Sequence, residues 1–375
     1  MGVGSYIKQM ALSLTNSGHR CIIATGYAKG YPIQEETNCG RVIRFYKKPQ
    51  IRSQSVTNRV LELAKKYRVD YIEGADHLGE CAPILKQRSR PPVAIKIHSS
   101  HALKVLIKSQ VHHSWQYATI GLALALRWKQ IWAEWQSYVN ADLLFAPTKK
   151  VMEELAKQGM PGIERCCLLP NPVVIKDNHI APITDKPTIL FVGRLDVGKG
   201  IEFLPRIMKR VWQKIPDATL EIAGPDGYAR GIGSLKDWLL GKFGLNVTKV
   251  KFLGALDSSG LSSAYYRAWI VIVPSKWDNF PGVILEAMAH ARAIVASPHG
   301  GMPEMLHGTD CVVAKPDTKL FAEACCSLLA NRDKGIAAGL SARQKALNEY
   351  HPNIIAKDYV RLMKNMDRKR KCQWR

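Results

Sequence analysis

The chain has 375 residues, more than a single core usually supports, so two domains of roughly 150–200 residues are expected. Its hydrophobic content of 46% is that of an ordinary globular protein, and the longest apolar candidate, residues 118–126, falls well short of the roughly 18–20 residues that a membrane span needs. Against 31 acidic residues stand 54 basic ones, a net charge of +23 divided almost evenly between the halves; such a surface attracts anionic lipid, nucleic acid or an acidic saccharide.

In chain order, apolar positions at 7, 10, 11 and 14 predict a helix over 6–17, and CIIAT predicts a strand at 21–25. A helix at 55–68, strands at 69–73 and 93–97, a helix at 128–140, a strand at 143–146 and a helix at 149–158 follow. This alternation reads as α/β units on a parallel sheet whose strands lack a wet face. The glycine turn at 2–4 enters its helix with no strand before it, so either the true start lies upstream or the sheet lacks a central strand. The Pro- and Asn-rich stretch 168–187 holds the expected linker, 176–187, after a first domain of 1–175.

From 188 to 340 a second domain repeats the pattern. Strands are expected at 188–193, 219–224, 250–254, 270–274 and 293–297, with helices at 200–213, 233–241, 260–267 and 282–291. The fold class is α/β, two doubly wound Rossmann-like domains facing across a cleft, with chemistry at the carboxyl ends of the strands. Nine cysteines, including the neighbours Cys166–Cys167 and Cys325–Cys326, show neither a disulfide framework nor CxxC spacing. With no signal-like N-terminal segment, a reducing, cytoplasmic compartment is expected.

Arg194 and Lys199 stand where strand 188–193 gives way to a helix. Two cations, backbone N–H donors and a helix N-terminus suit a diphosphate, although the same residues fit a solvated basic turn. A glycine after Lys199 breaks the phosphate-loop pattern, which needs a hydroxyl there to hold magnesium. Asp278 and Glu286 follow strand 270–274 and suit the hydroxyls of a sugar and a ribose. Both come from one βα unit, which favours donor binding over hydrolysis by carboxylates set across a scissile bond.

His98 ends a strand of the first half and could face a bound sugar, or be a satisfied core histidine. His101, His112 and His113 lie nearby without carboxylates or thiols at ligand spacing, so no metal site is expected. Trp128, Trp132 and Trp135 recur at helical spacing among Lys104, Lys108, Trp115, Arg127 and Lys129. That stripe packs a helix, meets anionic lipid, or stacks on a carbohydrate or base. No nucleic-acid reader is recognisable, and no specific nucleic-acid partner is expected.

FVGRLDVGKGIEFL, TLEIAG, VKFLGAL, PSKWDNFPGVILEAMA and IVASPHGGMPEML resemble, in order and spacing, the donor half of the retaining glycosyltransferases of family 4, which have the GT-B fold. In the first half GVGSYIKQMALSLTNSGHRCIIAT, VDYIEGADH, VAIKIHSSH and PNPV resemble the same family. The resemblance implies transfer of a sugar from a nucleoside-diphosphate sugar to a saccharide or lipid-linked hydroxyl, in cell-surface polysaccharide or glycolipid synthesis. It implies that Arg194 and Lys199 bind the donor diphosphate, that Glu286 holds the ribose, and that Asp278 with the backbone of Asn279 and Phe280 meets the sugar.

It further implies that His98 contacts that sugar from the first domain, that Gly2 and Gly4 bring backbone N–H groups to the diphosphate, and that 341–375 crosses back to the first domain with a basic tail. No metal or other cofactor is implied, and the chain has no DxD. Asp278 stands where the family usually has Glu. Peripheral attachment to the inner face of an anionic membrane fits the charge. The rival readings are a nucleotide-sugar epimerase or hydrolase on the same plan, and a catalytically weak binding protein.

Overall fold

A computed structural model describes residues 3–27, 29–46, 52–98, 117–175, 184–229, 231–315 and 317–373. Contacts divide the chain into two compact units, one of residues 2–172 with 352–375 and one of 173–351.

The first unit opens with α1 (Val3–Asn16), then β1 (Ile22–Gly26), β2 (Gln34–Thr37), β3 (Gly40–Tyr46) and α2 (Gln54–Lys66). It continues through β4 (Ile72–Ala75), the short α3 (Ala82–Leu85), β5 (Val93–Lys96), α4 (Tyr117–Asn140), β6 (Leu143–Ala146), α5 (Lys149–Lys157) and β7 (Cys166–Leu168). Ser53 and Thr148 cap α2 and α5, accepting from the backbone N–H groups of Val56 and Val151.

One expectation is corrected here. The strands do not form a single parallel sheet: β1, β3 and β2 make a three-stranded sheet in that order, and β4-β5-β6-β7 a separate four-stranded one. β2 is antiparallel to β3, and among the described residues no strand joins the two sheets through β1 or β4. The buried β5 and β6 run fully apolar or inward, while β1 and β4 are only half-buried.

The second unit is more regular. It comprises β8 (Thr188–Val192), α6 (Leu204–Lys214), β9 (Thr219–Ala223), α7 (Leu235–Phe243), β10 (Val250–Gly254), α8 (Ser258–Arg267) and β11 (Ile270–Val273). α9 (Gly282–Ala289), β12 (Ala293–Ala296), α10 (Met302–Leu306), β13 (Val312–Val313), α11 (Thr318–Leu329) and α12 (Arg332–Glu349) complete it. Six strands pair in the order β10-β9-β8-β11-β12-β13, every pair parallel.

Successive side chains of these strands enter opposite cores. Ile189, Ile222, Ile270 and Val295 pack with α6, α7 and α11 on one face; Leu190, Val271, Ile294 and Ala296 pack with α8, α9, α10 and α12 on the other. In α6 the buried positions Leu204, Ile207, Met208, Val211 and Trp212 follow the helical stripe that such a face requires. Both faces being covered explains why the strands read as unbroken apolar runs.

Residues 341–351 stay with this second unit, Ala342 and Ala346 lying in its core, and the return to the first unit begins at Pro352. There α13 (Pro352–Gln373) lays Ile355, Met363 and Met366 against Tyr6 and Met10 of α1 and Phe145 of β6. Residues 176–183 of the expected linker lie outside the described residues.

Candidate active site

In the second unit the strand order turns back between β8 and β11. β8 leads to β9 and β10 on one side, and β11 leads to β12 and β13 on the other. Loops leaving the carboxyl ends of two such strands diverge and leave a crevice between them. Arg194 and Lys199 lie in the loop after β8, and Asp278, Asn279 and Phe280 in the loop after β11, so topology alone brings these two stretches of sequence together.

The contacts are specific. Lys199 Nζ lies 2.6 Å from Asp278 Oδ2, and the backbone N–H of Lys276 donates to the Gly198 carbonyl at 2.9 Å. Two glycines permit the approach. Gly200 (φ +73°) and Gly300 (φ +69°) adopt left-handed backbone, and a Cβ on either would sit 1.9 Å from the Pro274 carbonyl oxygen or 2.0 Å from that of Asp278. Gly301 N–H donates to the same Asp278 oxygen at 2.9 Å, fixing the loop in which the carboxylate stands.

The Asp278 carboxylate raises the pKa of Lys199, which therefore carries its charge throughout the neutral range. Lys276 pairs with Glu202 at 2.6 Å, a second tie between the two loops. Arg194 is exposed and makes no hydrogen bond or ion pair among the described residues. Asn279 is buried and accepts from Trp277 Nε1 at 2.8 Å; the Phe280 ring is buried edge-on to Tyr350, 5.5 Å between centroids.

Glu286 lies on α9, half-buried, and its Oε2 accepts from the Tyr265 hydroxyl at 2.7 Å. Tyr265 is fully buried, its phenol raised in pKa by burial and by Glu286, so it remains a donor. His290 stacks on the Tyr265 ring at 4.8 Å, accepts or donates at Ser262 Oγ (2.9 Å) and meets the Glu286 carbonyl at 2.7 Å. Sequence reasoning missed both partners. Tyr265 is 21 positions from Glu286 and carries no local signal of its role.

His98 belongs to the first unit. Its backbone N–H donates to Asp76 Oδ1 at 3.1 Å, the other oxygen of that carboxylate accepts from Tyr138 OH at 3.2 Å, and the imidazole meets the Tyr6 ring edge-on at 4.8 Å. Burial first, and the Lys96 charge second, lower its pKa to about 3, leaving a neutral ring at physiological pH. Lys96 itself is fully buried, donates to the Leu169 carbonyl, and is lowered to about 7 by burial. Asp76 was not singled out in the sequence, although it directly precedes the histidine-bearing turn at His77.

Gly4 lies in the first turn of α1. Gly2, the histidines at 101, 112 and 113, Lys104, Lys108 and Trp115 lie outside the described residues. Among the described residues no group of three His, Cys, Asp or Glu side chains is placed to hold a metal ion, and no helix is long and apolar enough to cross a membrane.

Two α/β units, one with a parallel sheet whose switch point gathers a basic loop and an acidic loop, define the GT-B class of nucleotide-sugar enzymes. The sequence pattern "Glycosyltransferase Family 4" matches residues 1–177 and "Glycosyl transferases group 1" matches 186–331. The chain belongs to the family 4 glycosyltransferases with the GT-B fold.

Among its relatives, an uncharacterized glycosyltransferase of Methanocaldococcus jannaschii is 39% identical over 32% of this chain and 30% of that protein. A glycogen synthase of Mycobacterium tuberculosis is 24% identical over 95% of this chain and 89% of that protein. The structure of Anabaena HepE in complex with UDP-glucose superimposes with a TM-score of 0.73 at 16% identity, covering 97% of this chain and 96% of the other.

Proposed function

We propose that this chain is a retaining glycosyltransferase that moves a sugar from a nucleoside-diphosphate sugar to a hydroxyl of a saccharide or lipid-linked acceptor, in cell-surface polysaccharide or glycolipid synthesis. The observation that carries the reading is the closure of Lys199 on Asp278 at the switch point of the second sheet. There a fixed ammonium faces the developing charge of a departing diphosphate, with the exposed Arg194 guanidinium on the same loop. The Anabaena protein that shares the fold was seen with UDP-glucose, which supports a nucleotide-sugar donor here.

In this mechanism Arg194 and Lys199 hold the diphosphate, Glu286, oriented by Tyr265, receives the ribose hydroxyls, and Asp278 with Asn279 and Phe280 meets the sugar. His98, neutral, contacts the sugar from the first unit, and Gly2 and Gly4 offer backbone N–H groups. The acceptor oxygen bonds to the anomeric carbon on the face from which the diphosphate leaves. As the carbon–oxygen bond to the diphosphate breaks, the acceptor proton passes to the leaving oxygen, so configuration is kept without a protein nucleophile. Two side-chain cations do the work of a metal. The enzyme acts in the cytoplasm, its basic surface against an anionic membrane face.

A screen of uridine, guanosine and adenosine diphosphate sugars, with the product's anomeric configuration read by NMR, tests this. Transfer to an added acceptor with retention is expected, and Lys199→Ala should lower turnover by about 10²–10³-fold. Release of free sugar only would favour a hydrolase; unchanged turnover in the variant would remove Lys199 from the chemistry.

A further inference from the structure

A helix on the surface of a globular unit turns its apolar stripe inward and its polar side to water. Over its described side chains α4 does the reverse. Glu134, Ser137 and Tyr138 are fully buried, whereas Trp128 and Trp132 are each 57% exposed and Val139 is 42% exposed. Contacts with neighbouring turns fix this orientation: Tyr138 OH donates to Asp76, and a Cβ on Gly79 or Gly162 would sit 2.4 Å from the Ala133 carbonyl oxygen or 2.5 Å from that of Tyr138. Rotating the helix to hide the indoles would break all three approaches.

Trp128, Trp132, Trp135 and Val139 recur at i, i+4, i+7 and i+11, so they share one outward face about 16 Å long, with the half-buried Trp135 at its edge. A single exposed apolar residue is ordinary; a row of large ones marks an interaction surface. Charge narrows the partner. Lys129 is exposed beside the row, its ammonium 5.8 Å from the Trp128 ring, and Arg52 and Lys86, also exposed, border the hollow at Trp132, which no acidic residue lines. The one acidic residue of α4, Glu134, is on the buried side. Earlier in the same helix, residues 118–126 carry no charged side chain, so an apolar sequence leads into the row. Indoles flanked by cations beside an apolar stretch match the boundary between acyl chains and anionic headgroups. A second copy of the chain would instead bring another +23 against the same cations.

We propose that α4 docks this chain on an anionic bilayer, with Trp128, Trp132 and Val139 entering one leaflet by roughly 5–10 Å and Lys129, Arg52 and Lys86 meeting its phosphates. This docking deepens the membrane contact proposed above and rests on that reading; the sugar transfer does not depend on it.

Titration of the full chain with phosphatidylserine and phosphatidylcholine vesicles, their acyl chains brominated near the headgroup, tests the docking, because bromine quenches only indoles that enter the bilayer. Saturable binding with quenching is expected. Replacing both exposed indoles, Trp128→Ser with Trp132→Ser, should weaken binding tenfold or more. That loss should persist at high salt, which screens headgroup attraction but not apolar burial, and so differs from any loss caused by removing the basic tail. The conservative pair Trp128→Phe with Trp132→Phe should keep most of the binding and lose the quenched emission, which assigns the signal to α4. Binding without quenching, quenching retained in the Phe pair, or affinity retained in the Ser pair would overturn the proposal and leave the basic surface as the contact. A wild-type dimer that the Ser pair dissociates, seen by light scattering, would assign the face to a second copy instead. Failure to bind anionic vesicles at all would count against the membrane contact itself as well as against α4.

Discussion

His98 shows how much of a residue's chemistry is set by what surrounds it. Its backbone is tied to Asp76, its ring abuts Tyr6, and burial with the nearby Lys96 lowers its pKa to about 3. A neutral imidazole can accept or donate one hydrogen bond without adding a charge to its surroundings. The same shift couples it to stability. Between the usual histidine value near 6.5 and about 3, the unfolded chain takes up a proton that the folded chain refuses, so folding weakens as pH falls through this window and is unaffected by His98 above it. The carboxylates titrate mostly below about pH 5, so the histidine is best isolated above that. Thermal unfolding followed from pH 7 to pH 5 should show a falling midpoint in the wild type and a shallower fall in His98→Gln. Equal slopes would mean that the ring is protonated in the folded protein after all.

Among the elements, the loops after β8 and β11 depend on each other through backbone contacts rather than side-chain bulk. Gly300 holds a left-handed conformation in which a Cβ would sit 2.0 Å from the Asp278 carbonyl oxygen, and Gly301 donates to that same oxygen. Gly300→Ala should therefore cost at least the roughly 1–3 kcal/mol of a strained non-glycine residue, and should push the Asp278 loop away from Lys199. The expected readout is a midpoint lowered by several degrees, about 2–4 °C per kcal/mol, together with weakened nucleotide binding. An unchanged midpoint would show that the loop yields freely. This loop was legible in the sequence because buried parallel strands precede each of its two parts: Ile270–Val273 and Ala293–Ala296 are fully buried and fall within the expected 270–274 and 293–297, since apolar runs end where burial ends. The hairpin of β2 and β3 was not legible. Gln34–Thr37 alternates exposed and half-buried, and its register is held by Arg41–Glu36 and Arg44–Glu35 pairs, which leave no apolar run to read. Lys199 and Asp278 could be singled out from their loops, whereas Tyr265, which orients Glu286 from another helix, and the two-sheet division of the first unit are consequences of tertiary pairing with no local signature.

For the whole molecule the dominant quantity is charge. A net +23 spread over both halves gives a long-ranged attraction for anionic surfaces that salt screens within roughly 8–10 Å. Its densest run, Arg368–Lys369–Arg370–Lys371, lies near the end of α13, which carries the core residues Ile355, Met363 and Met366 further back along the chain. Removing 367–375 takes away five basic residues and Asp367, a net +4, and leaves the core residues Ile355, Met363 and Met366 in place. At about 1 kcal/mol for each basic residue near an anionic membrane, the loss should weaken binding to phosphatidylserine vesicles tenfold or more at low salt. Raising the salt should narrow the gap between truncated and full-length chains, while transfer to a soluble acceptor stays the same. Equal vesicle binding by the two chains would place the membrane contact on the basic surface of the units themselves and leave the tail as a solubilising extension.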